Sequence, residues 1–157
     1  MPAVSIRRLP GDTIRRCGWC AGTRPRFIQE RESALTKIAD IVDRYTAVWN
    51  EVDADRRQKA VGELWASDGY YANMTDEYRG HSQIHEAIHE AYEDFVQKGF
   101  AFTIHNYQVN HNSVRITWHM VPAGGGDVAA VGTEFIVLGA DGLIQSDHQF
   151  MDVDPTR

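Results

Sequence analysis

No apolar run in this 157-residue chain approaches the roughly 20 residues that a membrane-spanning helix needs, so the expectation is a soluble protein with no membrane partner. The hydrophobic stretch of a secretory signal is also missing, and neither early arginine pair is followed by one. Cysteine is scarce: Cys17 and Cys20 are the whole complement, which leaves a reduced cytoplasm as the default location. No internal repeat or low-complexity tract interrupts the chain. Beyond residue 31 basic charge falls short: that part carries −11 of a total net charge of −6, and an acidic domain repels phosphate backbones. Nucleic acid is therefore not an expected partner of the folded part.

With 43% hydrophobic residues, the composition is that of one ordinary globular domain with a substantial core. Residues 1–31 differ from it. They hold seven arginines against Asp12 and Glu30, together with Pro2, Pro10, Gly11, Gly18, Gly22 and Pro25, and show no sustained apolar period. A targeting leader, a basic arm for an acidic surface, and an extension without packed structure are the competing readings. The last is favoured, as an upstream translation start added to a domain beginning near Glu32. Cys17-Gly-Trp-Cys20 lies in this arm. A redox pair needs a strand and a helix N-terminus beside it, and zinc needs four ligands. The arm offers neither, so these read as two incidental thiols.

The domain, residues 32–157, opens with helices. Leu35, Ile38, Val42, Tyr45 and Trp49 recur at spacings of three and four, which predicts a first helix over Ser33–Val52. Asp53-Ala-Asp55 can cap a second, whose buried face is Ala60, Val61, Leu64 and Trp65, ended by Ser67-Asp68-Gly69. Tyr70 to Met74 reads as a strand, and Ile84, Ile88, Ala91, Tyr92 and Phe95 mark a third helix closed by Lys98 and Gly99. Thereafter the period becomes that of strands: Phe100–Val109, Ser113–Val121, Val128–Leu138 and Leu143–Val153, separated by short turns. Such spacing implies an antiparallel meander, hence an α+β domain with three helices covering the concave face of a curved, mainly antiparallel sheet.

The element order, with Tyr45, Trp65-Ala-Ser-Asp68, Gly80 and Asp141-Gly-x-Ile144, resembles the SnoaL-like branch of the nuclear transport factor 2 superfamily over about Leu35 to Asp152. The resemblance implies a cone whose open end holds a small apolar ligand, and a homodimer formed through the exposed sheet face. It does not fix a reaction, since this fold hosts isomerases, cyclases, hydrolases and binding proteins alike.

Ketosteroid isomerases, which the chain resembles, carry a pocket-facing acid at the place of Glu134. Taking that register points Glu134, Asp147, Gln149 and Met151 inward with His148 outward, and Ile116, Trp118 and Met120 inward with His119 outward. Glu134 and Asp147 would share one cavity, where burial and mutual repulsion raise a carboxyl pKa, so that one holds a proton while the other serves as base. Tyr45 matches the tyrosine that donates to an oxyanion in those isomerases. Asn73 stands where they place the catalytic base, and it cannot accept a proton. Tyr71-Ala-Asn73-Met74 also resembles limonene-epoxide hydrolases, but Trp118, Met120 and Gln149 replace the ionisable groups of that site. Glu134, Asp147 and Tyr45 are therefore the candidate catalytic residues, and Trp49, Tyr71, Asn73, Trp118, Met120 and Gln149 the candidate ligand-binding ones. The plain alternative is that the acids hydrogen-bond backbone ends or face solvent and the aromatics merely pack.

His85-Glu-Ala-Ile-His89 fits the zinc-protease pattern, with His81 one turn earlier. Ile84, Ile88 and Ala91 define the buried side, however, and the following sheet supplies no third ligand. A solvated helix face is expected, with no metal and no other cofactor. Two functions follow: acid/base chemistry of isomerase or polyketide-cyclase type on an apolar carbonyl compound, or a non-catalytic ligand-binding or interaction module.

Overall fold

Helix α1 runs over Arg26–Asn50 in the structure, a computed structural model that describes residues 25–153. Cys17, Cys20 and the first 24 residues of the arm lie outside the described residues. The helix starts seven residues before the sequence period predicts. Its first turn follows Pro25, whose carbonyl accepts from the amides of Ile28 and Gln29, and Arg26 pairs with Glu30 at 2.7 Å one turn on. Ile38, Ile41, Val42, Tyr45, Val48 and Trp49 form its buried stripe.

Helix α2 spans Ala54–Leu64 and is capped by Asp53, whose Oδ1 accepts from the Arg56 amide at 2.9 Å. Replacing Asp53 by Ala is expected to cost about 1 kcal/mol, read as a fall in the urea midpoint with unchanged slope. An unchanged midpoint would show the cap to be idle. Arg57, on the same helix, is buried without a carboxylate. It donates to the Glu51 carbonyl at 2.8 Å, shares a hydrogen bond with His89 Nδ1 at 3.0 Å and lies over the Tyr92 ring.

The sequence placed Trp65 on α2, but the helix stops at Leu64 and Trp65 opens strand β1, Trp65–Ala72. Tertiary pairing outweighs the helical period here. β1 runs parallel to β6, Ile144–Val153, with a bulge between Trp65 and Tyr70. Gly69 sits in that bulge, where a Cβ would stand 2.9 Å from the Ala66 carbonyl. Trp65 is fully buried in either assignment.

A short strand that the period does not reveal, β2 (Glu77–Arg79), returns antiparallel to β1 and leads into α3, Gly80–Ala91. A π-helical turn, Tyr92–Val96, continues α3. Strands β3 (Phe100–Asn110), β4 (Ser113–Pro122) and β5 (Ala130–Leu138) complete a six-stranded sheet in the order β2-β1-β6-β5-β4-β3. Only the β1–β6 pair is parallel, so the sheet is mixed and mainly antiparallel, with α1, α2 and α3 packed on one face. This is the expected α+β cone architecture, with an open rather than a closed sheet.

Asn50 locks the end of α1 to the edge strand. Its amide donates to the Phe102 carbonyl at 2.8 Å and its oxygen accepts from the Phe102 amide at 2.9 Å, completing backbone bonds that an edge strand otherwise leaves open. That fixes Phe102, which lines a cavity between the sheet and α1. Among the described residues no helix is long and apolar enough to cross a membrane.

Candidate functional site

Alternation along β4, β5 and β6 carries Trp118, Glu134 and Gln149 to the covered face, where α1 supplies Tyr45 and Trp49 and β1 supplies Tyr71. Between these elements lies a partly open cavity of about 370 Å³, within the size range of small-molecule sites. Phe102 and Met120 extend its apolar wall. Glu90 of α3 and Asp94 and Phe95 of the π-helical turn, all exposed, mark its mouth. A π-helical turn shifts the side chains that follow it relative to a regular helix, and such turns are frequent at functional sites.

Glu134 is 2% exposed and Asp147 is fully buried. The Trp118 indole donates to Glu134 Oε1 at 2.8 Å, and the Gln149 amide donates to the same oxygen at 3.1 Å. Tyr45 donates its hydroxyl to Asp147 Oδ2 at 2.8 Å. As carboxylates, Glu134 Oε2 and Asp147 Oδ1 would each be buried without a donor. One proton on Glu134, given in a hydrogen bond to Asp147, relieves both. Burial first, then the Asp147 charge, accordingly push Glu134 well above the carboxylate range, against the lowering effect of the Trp118 donor. Burial also raises Asp147, to about 7, although hydrogen bonds from Tyr45 and Glu134 act to lower it. The pair therefore holds a transferable proton near neutral pH.

All six candidate ligand residues line this one cavity, and so do Glu134 and Tyr45. Asp147 does not. It stands behind the wall, so only Glu134 of the two acids can meet a ligand. Tyr45 is tied to Asp147 rather than free, whereas the Tyr71 hydroxyl, 2% exposed as a residue, has no hydrogen-bond partner among the described residues. Burial, then the charges of Glu134 and Asp147, keep Tyr71 protonated. Asn73 lines the cavity, but its Oδ1 accepts from the Thr75 amide at 2.9 Å, the Thr75 hydroxyl at 3.1 Å and the Asp76 amide at 2.7 Å. That oxygen is committed to the turn after β1.

Two contributors escape the sequence reading. Tyr78 lines the mouth and donates to Glu90 at 3.1 Å; burial, then that bond, push it up to about 12. Gly132 of β5 pairs with Trp118, and the indole ring lies across it, so a Cβ there would overlap the ring. A glycine inside a β-branched strand, Val131-Gly-Thr133, was the available signal of such a close approach.

The three helical histidines do not converge. His81 Nε2 lies 2.8 Å from the Trp65 carbonyl, His89 bonds Arg57, and His85 Nε2 is buried without a partner. Among the described residues no group of three or more His, Cys, Asp or Glu side chains is placed to hold a metal ion.

Residues 42–146 match the family defined by the SnoaL-like domain. A proposed isomerase of the SnoaL-like family from Agrobacterium tumefaciens strain C58 is 30% identical, with 74% of this chain and 98% of that chain covered and a TM-score of 0.68. A proposed SnoaL-like polyketide cyclase from Jannaschia sp. CCS1 shares 18% identity over 74% of this chain and 86% of that one, at a TM-score of 0.60. A proposed ketosteroid isomerase from Kribbella flavida shares 16% over 76% and 80%, at 0.59. The last two likenesses establish the fold alone. No functionally curated protein matches.

Proposed function

The chain belongs to the SnoaL-like domain family, and from that premise we propose that its cavity performs proton transfer beside the carbonyl of a small apolar compound, as an isomerase or cyclase does. The observation that carries this reading is Glu134: a buried acid on the cavity wall, loaded with a proton and backed by a second acid that no ligand can reach. With the shared proton on Asp147, the Glu134 carboxylate takes a proton from the carbon next to the carbonyl. The C–H electron pair becomes the C=C bond of an enolate, whose oxygen accepts from the Tyr71 hydroxyl. Glu134 then returns the proton at another carbon, giving an isomer, or the enolate carbon attacks a second carbonyl and closes a ring. Asp147, with Tyr45 bonded to it, is a positioning residue that stores the proton while Glu134 is empty.

Deuterium uptake by 2-cyclohexenone and 1-indanone in D2O tests the reading. The wild-type protein is expected to speed exchange above the buffer rate, and Glu134→Gln to lower that enhancement by about 10²–10⁴-fold. Equal exchange by the two proteins would remove Glu134 from the chemistry. A second reading, binding without turnover, is favoured by the commitment of Tyr45 to Asp147 and of Asn73 Oδ1 to its turn. Ketone binding with no exchange in the wild type would decide for it.

The homodimer belongs to the same proposal. Phe135 and Phe150 alternate with Glu134 and Gln149, point to the outer face of the sheet and are 43% and 55% exposed. Aromatic exposure of this kind on one sheet face suits a self-complementary interface.

A further inference from the structure

The acid pair is short of donors. Four buried carboxyl oxygens receive three side-chain donors, and two of those, from Trp118 and Gln149, fall on the same oxygen. Glu134 Oε2 and Asp147 Oδ1 receive none from any other group. Among the described residues no lysine, arginine or histidine lines the cavity, while Glu134 lines its wall and Glu90 and Asp94 its mouth. The basic groups nearby are engaged elsewhere. Lys98 pairs with Asp94 at 3.2 Å outside the lining, and buried Arg57 is held by the Glu51 carbonyl, His89 and the Tyr92 ring.

The walls are aromatic. Trp49 lies 5.4 Å from Tyr71 and 6.5 Å from Phe102 between ring centroids, and Phe102 lies 5.6 Å from Trp118 in an edge-on arrangement. Ring faces attract cations, most strongly where water is excluded. Among the described residues the buried acid pair has no counter-charge, and indole and phenol rings enclose it, a setting suited to a bound cation.

We propose that the cavity binds an organic cation, a protonated or quaternary amine, whose charge lies against Glu134 among Trp49, Tyr71 and Trp118 and replaces the proton that the acid pair holds when the cavity is empty. This goes beyond the proton-transfer reading and requires no turnover. Binding then releases a proton, so affinity rises with pH as the pair gives up its proton and falls again in acid. The titratable groups facing the pair are Tyr45 from α1, Tyr71 from β1 and, at the mouth, Tyr78 from β2, Glu90 from α3 and Asp94 from the π-helical turn; β4 and β6 present only neutral Trp118 and Gln149. The tyrosines stay neutral across this range, because burial and the neighbouring carboxyl groups raise all three.

Choline and its uncharged isostere 3,3-dimethylbutan-1-ol separate charge recognition from shape. Calorimetric titration of the wild-type protein is expected to show choline bound at least about tenfold more tightly than the alcohol at pH 8. Choline affinity should fall about tenfold by pH 5.5, with proton release visible as a dependence of the heat on buffer ionisation. Glu134→Gln should erase most of the preference for choline, whereas Asp147→Asn, which leaves the Glu134 carboxyl on the cavity wall, should keep the preference and move its pH dependence to lower pH. Equal or tighter binding of the alcohol, choline affinity that is flat from pH 5.5 to 8, or no choline binding at millimolar concentration would each overturn the proposal. Failure of ketone exchange leaves this result untouched, and failure of choline binding leaves ketone exchange untouched.

Discussion

Asp147→Asn is expected to make the protein more stable at pH 8 by about 2–4 kcal/mol, with the gain shrinking toward zero near pH 4. The cause is the fully buried carboxyl. Burial raises it from the ordinary aspartate value of 3.8 to about 7. A group that holds its proton more tightly when folded contributes its full stability below the unfolded pKa and loses it as pH rises through the folded one. Through Asp147 the wild-type protein should therefore weaken between pH 4 and 7, and Glu134, also raised by burial, adds a loss of its own as pH rises. At about 1.4 kcal/mol per pH unit, the rise sets a ceiling on the order of 4 kcal/mol. Asparagine is isosteric, keeps an oxygen for the Tyr45 hydroxyl and adds a donor for Glu134. Urea unfolding at pH 4, 6 and 8 measures the difference. A variant weaker than wild type at pH 8 would mean that the pair is ionised and well solvated, contrary to the burial seen here.

Gly132→Ala should cost about 3–5 kcal/mol, a large effect for one methyl group. Its Cβ would meet the Trp118 indole on one side and stand 2.9 Å from the Phe150 carbonyl on the other. Strand pairing on both edges of β5 prevents the backbone from retreating. Overpacking of this kind typically costs about 1–3 kcal/mol. Displacing Trp118 also removes the indole donor from Glu134, which adds about 1–3 kcal/mol for a buried acid left less satisfied. Near-ultraviolet circular dichroism would report the moved indole, and urea unfolding the loss. A double variant with Trp118→Leu should recover much of the packing cost but not the hydrogen bond. Full stability in Gly132→Ala alone would show that the Trp118 ring moves aside freely.

The sheet was legible to different degrees along the chain. From Phe100 onward, short turns separate strands whose partners are their neighbours in sequence, and the meander follows from local pattern. β1 was harder, because its partner β6 lies some 80 residues away and no local period announces a parallel pair. Trp65 satisfies the helical stripe and the strand face equally well, so only pairing with Ile144 could assign it. β2 is three residues long, too short to show a period at all.

The candidate site divides in the same way. The resemblance to ketosteroid isomerases supplied the register that turns Glu134 inward, and with that choice alternation along each strand put Trp118 and Gln149 on the same face of the sheet. The sequence itself determined the aromatic content and the acidic balance of the folded part. Only the tertiary structure decided that Glu134 reaches the cavity while Asp147 stands behind it, that Tyr45 is spent on Asp147, and that the Tyr71 hydroxyl has no hydrogen-bond partner among the described residues. These are matters of depth and of distance between residues such as Tyr45 and Asp147, 102 positions apart. Periodicity gives the direction in which a side chain points; packing of α1 against the sheet sets how far it reaches and what it meets there.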